Sequence, residues 1–431
     1  MRLTRFLKNS FQYLLYLFVF LLPWQTKLIL RPAETNFTEI SLYASQLVLL
    51  IILVIFFIYK FRSKDSSESA PGVWYFLAGL ELFVFASFFV AVDQTLAFYH
   101  YLIFLEVIGL FYLLREGTLF KGYIESYLNK TVIIYVFLSS IFFQSVLGIY
   151  QFLTQSSFAF KYLGLAAHNP EDPGVAVVEA ASGRFLRAYG GFDHPNIFGG
   201  VLAISLILAV YFLAKKKVLN SNKEIFESIF LFIFYFFSLF ALFFTFSRSA
   251  WLAYAAGLIF LLISFIKGKD RWMIGRFLAL VFFSVIFLSI IVRPYQDLVG
   301  VRVSANTRLE QISLNERQIY FEQSAALIKS QPLLGVGIGN YTSELDRRDE
   351  NKKPAWVNQP VHNCFLLIFS ESGIFSLIFF LGFLICLILK DRRENFSWAI
   401  IIALIVLMMV DHWLISLPSG VLFLFFILGL I

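Results

Sequence analysis

The chain has 431 residues, of which 59% are hydrophobic and 19% aromatic, against only 15% charged. So little polar surface cannot cover a chain of this length in water, which excludes a soluble globular protein and predicts a polytopic membrane protein. The formal net charge of +7 comes from short loops beside apolar runs, so it indicates membrane topology and not nucleic-acid binding.

Apolar runs long enough to cross about 30 Å of hydrocarbon recur along the whole chain. They predict an all-α polytopic membrane protein of about twelve transmembrane helices, with a single integral-membrane domain over residues 1–431 and no internal repeat. The spans are predicted near residues 11–30, 39–59, 73–91, 94–114, 131–152, 197–214, 225–246, 250–266, 276–292, 363–389, 398–415 and 418–431.

Lys and Arg are concentrated in alternate loops, including the N-terminal "MRLTRFLKNS" and the later "KGKDRWMIGR". The positive-inside rule places this set of loops, and with it both termini, in the cytoplasm. The outer side then receives a first loop near 153–196 and a long loop near 293–361, between the ninth and tenth spans. Most of the unusual polar residues lie in these two loops or at adjacent helix ends, so we expect the functional site to face outward.

In the first outer loop, Arg187 leads into the stretch "GGFDHPNIFGG". His194 and Asn196 flank a proline in a pattern typical of a helix start, and the glycine pair that ends the stretch permits close helix packing. His194 is therefore either helix punctuation or part of a site.

The short turn between the seventh and eighth spans, "FTFSRSAW", places Arg248 between two apolar helices. A guanidinium there is costly to desolvate unless an anion meets it. The alternative is that Arg248 extends to the lipid headgroups.

The segment "SLNERQIYFEQSAALIKSQP" in the long outer loop predicts an amphipathic helix near 314–331 that lies over the membrane face. Ser313 and Glu316 form a capping-box pattern at its start, and Pro332 follows its end.

The next stretch, "PLLGVGIGNY", predicts a tight glycine turn, because no strand precedes it and its spacing is not that of a dinucleotide-binding loop. The charged run "SELDRRDENKK" that follows is predicted to be a solvated loop tip.

His362 stands where the tenth span begins, and Glu371 lies further along the same predicted helix as a supporting or packing residue. A histidine suits removal of a proton from a hydroxyl near neutral pH. Arginines suit a diphosphate, since the guanidinium fork binds phosphate oxygens bidentately. Together these residues predict transfer of a group from a lipid diphosphate to an acceptor at the membrane surface, without a carboxylate-rich metal cluster.

Four stretches in series, "RAYGGFDHPNIFGG", "FTFSRSAW", "ERQIYFEQSAALIKSQPLLGVGIGNY" and "HNCFLLIFSESGIF", resemble blocks of the bacterial O-antigen ligase and O-antigen polymerase superfamily. The resemblance runs from about residue 187 to residue 380. The ligase motif of the superfamily matches at His362, Asn363 and Gly373, whereas Ser376 departs from it at the last position.

The resemblance implies a glycosyltransferase of the C-type architecture in the bacterial cytoplasmic (inner) membrane, with an undecaprenyl diphosphate-linked glycan as donor and no metal or cofactor. It implies that His362 acts on the acceptor hydroxyl while Arg248 and Arg317 hold the diphosphate, with Arg308 as an alternative to Arg317. The further residues it implies are Arg187, His194, Asn196 and Asn363 as substrate contacts, and Glu371 and Gly373 as supporting residues.

Three functions stay open at this point. The first is an O-antigen ligase, whose acceptor is a lipid A-core sugar. The second is a polymerase that extends another lipid-linked repeat, or a protein O-oligosaccharyltransferase that modifies Ser or Thr. The third is a lipid or glycan transporter, which would predict inverted repeats and helices broken at the midplane.

Overall fold

A computed structural model describes residues 2–62, 71–116, 129–216, 221–304, 308–349, 357–390 and 396–431. Seven helical stretches in these ranges are long and apolar enough to cross a membrane, and five shorter apolar helices of 10–17 residues accompany them. The polytopic helical class is therefore confirmed, and the number of spans stays a prediction. The helices are α1 Arg2–Leu21, α2 Ala44–Arg62, α3 Pro71–Phe88, α4 Gln94–Glu116, α5 Lys130–Thr154, α6 Pro195–Lys215, α7 Asn222–Phe244, α8 Arg248–Lys267, α9 Arg271–Val292, α10 Gln296–Ser304, α11 Arg308–Ser330, α12 Tyr341–Arg348, α13 Cys364–Lys390, α14 Ser397–Val410, α15 Trp413–Ser416 and α16 Pro418–Leu430.

Helix α6 lies at the centre of the bundle, and 89% of its most apolar 18-residue stretch is buried inside the protein. It packs against α7, α8, α9 and α14. A Cβ at Gly199 would lie 2.9 Å from the Cβ of Ala250, and one at Gly200 would lie 2.8 Å from the Trp413 ring. The predicted close packing at this glycine pair is confirmed, and it brings the α7–α8 turn and the α14–α15 junction to the same end of α6.

Two short hairpins accompany the helices, and the sequence did not predict them. Strand β1 (Lys27–Arg31) pairs antiparallel with β2 (Ile40–Tyr43), and β3 (Val177–Ala180) pairs antiparallel with β4 (Gly183–Leu186). The first span was also predicted to run too far, because α1 ends at Leu21, just before Pro23, which cannot continue a helix.

The long outer segment is more helical than its sequence predicts, since α10, α11 and α12 occupy most of it. The predicted start of α11 is wrong: the helix begins at Arg308, so Ser313 lies inside it and does not cap it. The carboxylate of Glu310, in the first turn of α11, binds the guanidinium groups of Arg248 and Arg302. These tertiary ion pairs stabilise a first turn that local sequence does not mark.

The start of the charged run is folded, which corrects the prediction of a solvated tip. Residues 343–348 belong to α12, and the buried Glu344 accepts hydrogen bonds from Arg347 at 2.7 Å and Arg348 at 2.6 Å. Residues 350–353 of the run lie outside the described residues.

The glycine turn before α12 is confirmed, with positive φ at Gly335, Gly337 and Gly339. It fills a break in α13 at Gly373, where φ is 81° and ψ is 177°. The carbonyls of Ser370 and Glu371, which the break releases from helical bonding, accept from the backbone N–H groups of the turn, at 2.9 Å each. The released carbonyls therefore remain hydrogen-bonded inside the protein.

The span predicted at 398–415 is interrupted. Helix α14 ends at Val410, and Asp411 and His412 are non-helical before the short α15. The Asp411 carboxylate accepts from the backbone N–H of His412 at 2.8 Å, a local bond that competes with helix continuation.

Candidate active site

His362 lies two residues before the start of α13, with its imidazole held between two aromatic rings. The Tyr320 ring of α11 stacks on it at 5.6 Å with an interplanar angle of 9°, and the His412 ring meets it edge-on at 4.9 Å. Its Nδ1 is buried and has no hydrogen-bond partner among the described residues. The ring is thus oriented by its packing between Tyr320 and His412.

Asp411 and His412 bring further polar groups to His362. Ligand-type atoms of the three side chains all lie within 4.8 Å of one another. Burial lowers the pKa of His362. The nearby Asp411 carboxylate acts to raise that pKa and the Arg317 guanidinium acts to lower it, and the resulting pKa is below its ordinary value. A lowered pKa keeps the imidazole neutral at neutral pH, which is the form that can accept a proton.

His362, Asp411 and His412 also have a geometry that could hold a metal ion, and no other group of His, Cys or acidic residues in the described ranges does. The residue types of this trio, two imidazoles and one carboxylate, are those found in zinc sites. His412 already shares its Nδ1 with the Ser416 hydroxyl at 2.7 Å, which leaves its Nε2 as the ligand atom. Neither Asp411 nor His412 was predicted from the sequence, because both lie within an apolar run.

Arg248 is the first residue of α8, with Ser247 as the helix cap. Its guanidinium binds the buried Glu310 carboxylate at 2.7 Å, and Arg302 of α10 binds the other oxygen of the same carboxylate. Arg302 also donates to the Phe246 carbonyl. Arg248 is therefore held by a network and does not simply extend to headgroups. Arg302 and Glu310 escaped sequence reasoning, because nothing local distinguishes them from solvated residues.

Arg187 is buried between the α7–α8 turn and the start of α6. It donates to the Thr245 carbonyl at 2.6 Å and to the Asn196 side-chain oxygen at 2.7 Å. Burial lowers the pKa of Arg187 to about 9, so it remains charged at neutral pH. Asn196 in turn approaches the Asp411 carboxylate at 3.5 Å, which links the arginines to the His362 cluster.

Arg317 and Arg308 differ in position although both lie on α11. Arg317 is half-buried, lines the same cavity as His362, and makes no hydrogen bond or ion pair with the described residues. Arg308 has a side chain that is 65% exposed, lies 3.7 Å from the Glu179 carboxylate, and does not line that cavity. The structure brings Arg317, and not Arg308, to His362.

A cavity of about 520 Å³ joins these groups. His362 and Tyr320 lie on its wall, and five arginines from four different segments of the chain line it. These are Arg184, Arg187, Arg248, Arg302 and Arg317. So many cations around one space suit an anionic ligand with several oxygens.

The remaining predicted residues have structural contacts of their own. His194 caps α6, with its Nδ1 accepting from the Asn196 N–H at 3.1 Å, and it also lines the cavity. Asn363 caps α13, because its side-chain oxygen accepts hydrogen bonds from the N–H groups of Phe365 and Leu366 at 3.0 Å. This oxygen is therefore already used in the helix cap. Glu371 accepts from the Gly339 N–H at 3.0 Å, in line with a supporting role.

Residues 233–381 match the protein-family model described as O-antigen ligase. The resemblance to the superfamily is thereby confirmed. The region runs from within α7 to within α13 and contains Arg248, Arg317 and His362, whereas Arg187 and Asp411 reach the site from outside it. No curated protein matches the sequence significantly.

Proposed function

We propose that the protein is an O-antigen ligase that transfers a glycan from undecaprenyl diphosphate to a hydroxyl of a lipid A-core sugar. The reaction takes place at the outer face of the bacterial cytoplasmic membrane, with both termini of the chain in the cytoplasm and no metal or cofactor. The observation that carries the proposal is the cavity lined by both His362 and five arginines, in a chain whose residues 233–381 match the O-antigen ligase family model.

In this proposal His362 removes the proton from the acceptor hydroxyl as the hydroxyl oxygen attacks the anomeric carbon. Arg317 and Arg248 bind the diphosphate and stabilise the negative charge that develops as it leaves. Glu310 and Arg302 position Arg248. Asp411 stabilises the imidazolium that forms on His362, because an opposite charge within a few ångströms favours the charged form.

A polymerase or a protein O-oligosaccharyltransferase would use the same donor chemistry, and only the acceptor separates them from a ligase. The transporter is less well supported. The described residues do contain two helix interruptions, one within α13 and one between α14 and α15, but in the first the glycine turn binds the released carbonyls of Ser370 and Glu371. That break therefore offers no open backbone site for a transported ion or substrate.

The proposal is tested with purified protein in liposomes containing labelled undecaprenyl diphosphate oligosaccharide, with and without lipid A-core. We expect single-step transfer that requires lipid A-core and falls about 10²-fold or more in His362→Ala, the range for losing a general base. A ladder of lengthening glycan without lipid A-core would identify a polymerase. No His362-dependent transfer under either condition would refute the transferase.

The arginine assignment has a matched control on the same helix. Arg317→Lys should lower transfer by roughly tenfold or more, because one ammonium cannot replace a bidentate fork. Arg308→Lys, outside the cavity, should leave transfer unchanged. Equal effects of the two substitutions on the initial rate would remove Arg317 from the diphosphate site.

A further inference from the structure

His362 lies on the walls of two cavities. Besides the cavity that contains the arginines, hereafter the arginine cavity, a second cavity of about 440 Å³ opens beside it. The two share His194, Asn196, Gln359 and His362 as lining residues. A base at such a junction can contact a molecule in either space.

The two cavities have opposite charge. The arginine cavity is lined by five arginines against two glutamates, Glu310 and Glu316. The second cavity is lined by Lys27 against the carboxylates of Glu39, Asp193 and Asp411, so we call it the acidic cavity. Lys27 is itself paired with Glu39 at 2.5 Å, which leaves a net negative lining. Coulombic interaction therefore favours a diphosphate in the first space and opposes an anion in the second.

Asp193 stands out in the acidic cavity. It directly precedes His194, the cap of α6, and its side chain is accessible within the cavity. It makes no ion pair or hydrogen bond with any residue that the structure describes. A carboxylate offers two acceptor oxygens, which suits a sugar with two neighbouring hydroxyls.

The rest of the lining also suits a carbohydrate. Tyr43 and Tyr99 provide aromatic surface, and an aromatic ring combines apolar contact area with a polar group. The volume lies within the roughly 300–1,000 Å³ of small-molecule sites, enough for a terminal sugar of a larger acceptor.

We propose that the acidic cavity is the acceptor subsite and that it selects an uncharged or amino sugar, with Asp193 holding the sugar by its hydroxyls. The inference rests on the proposed transfer reaction. The acceptor O–H proton passes to His362, and the acceptor oxygen bonds to the anomeric carbon. The bond from that carbon to the phosphate oxygen breaks, and the diphosphate departs into the arginine cavity with the bonding electron pair.

The test measures KM for acceptor and donor separately in Asp193→Asn. Losing hydrogen bonds to a charged group should raise the acceptor KM roughly tenfold to a hundredfold, with the donor KM unchanged. Asp172→Asn is the matched control, because Asp172 is an exposed residue of the same outer loop and lines neither cavity. An unchanged acceptor KM, or equal changes in both constants, would overturn the assignment.

A second measurement uses specificity, which a folding defect does not mimic. Two lipid-linked acceptors are compared, one ending in a neutral hexose and one in a hexuronic acid. The wild-type protein should prefer the neutral acceptor, and Asp193→Asn should reduce that preference because it removes a repelling charge. An unaltered ratio in the variant would refute the charge selection.

The two proposals fail in distinguishable ways. If the wild-type protein transfers glycan in a His362-dependent reaction while Asp193→Asn behaves like Asp172→Asn, only the acceptor subsite is wrong. If His362→Ala retains transfer, the proposed function fails irrespective of Asp193.

Discussion

Two helices beside the site are interrupted, and the two interruptions differ in what happens to their polar groups. In α13, backbone N–H groups of the glycine turn bind the released carbonyls and the Glu371 carboxylate. Between α14 and α15, the side chains of Asp411 and His412 instead face a cavity that they share with His362. An interruption whose polar groups are bound by backbone stabilises the fold, whereas one whose side chains reach a cavity leaves them available to a ligand.

The largest expected effect concerns the break in α13. Gly373 has a backbone conformation that other residues avoid, and a Cβ there would lie 1.9 Å from the Leu333 carbonyl oxygen. Gly373→Ala should lower stability by about 3 kcal/mol or more, measured as thermal unfolding and as the yield of monodisperse protein.

Gly275→Ala is the control for this substitution. Gly275 lies inside α9, and a Cβ there would meet nothing within 4 Å, so stability should be unchanged or slightly improved. If the two variants unfold at the same temperature, the α13 break is not the structural element described above.

A substitution at the second interruption should change the rate of glycan transfer and not the stability of the protein. Asp411→Asn should reduce transfer roughly tenfold or more, because a charged partner of the developing imidazolium is lost. In the proposed mechanism His362 accepts a proton and must be neutral to do so, so activity should be lost as pH falls through its pKa. Asp411 acts to raise that pKa against burial and Arg317. The acid limb of the pH–rate profile should therefore move to lower pH in Asp411→Asn.

The other titratable or charged groups around His362 include His194, His412 and Arg317. They remain in place in Asp411→Asn. A profile that keeps its acid limb, or a limb that moves to higher pH, would mean that Asp411 does not act on the catalytic base. A loss of folded protein equal to the loss of activity would assign Asp411 to the same structural class as the α13 break.

The smallest effect is expected from metal removal. A ligated imidazole has no lone pair for a proton, so the general-base role requires His362 to be metal-free. Extensive chelation should leave transfer unchanged, and added Zn²⁺ should inhibit by binding the trio of His362, Asp411 and His412. Loss of activity on chelation that Zn²⁺ restores would assign the trio a metal and contradict the base mechanism.

Much of this protein could be predicted from local pattern. The apolar runs predicted the helical membrane class, and the glycine-rich stretch predicted the turn that fills the α13 break. His362 and Arg248 stood out because each is a polar group beside long apolar runs, whereas Arg317 was indicated by the resemblance to the superfamily. The start of α11 and the helical state of α12 were mispredicted, since both depend on ion pairs of Glu310 and Glu344 that local sequence does not indicate.

The sequence by itself determined that the chain is a multi-pass membrane protein with its unusual polar residues near helix ends. The length of an apolar run and the cost of desolvating a charged side chain are both local properties. Only the tertiary structure decided which of those residues meet. Asn196 and Asp411 are 215 residues apart in the chain, yet close packing at Gly199 and Gly200 brings their helix ends together. Contacts over such separations depend on how whole helices pack, and no short stretch of sequence specifies that.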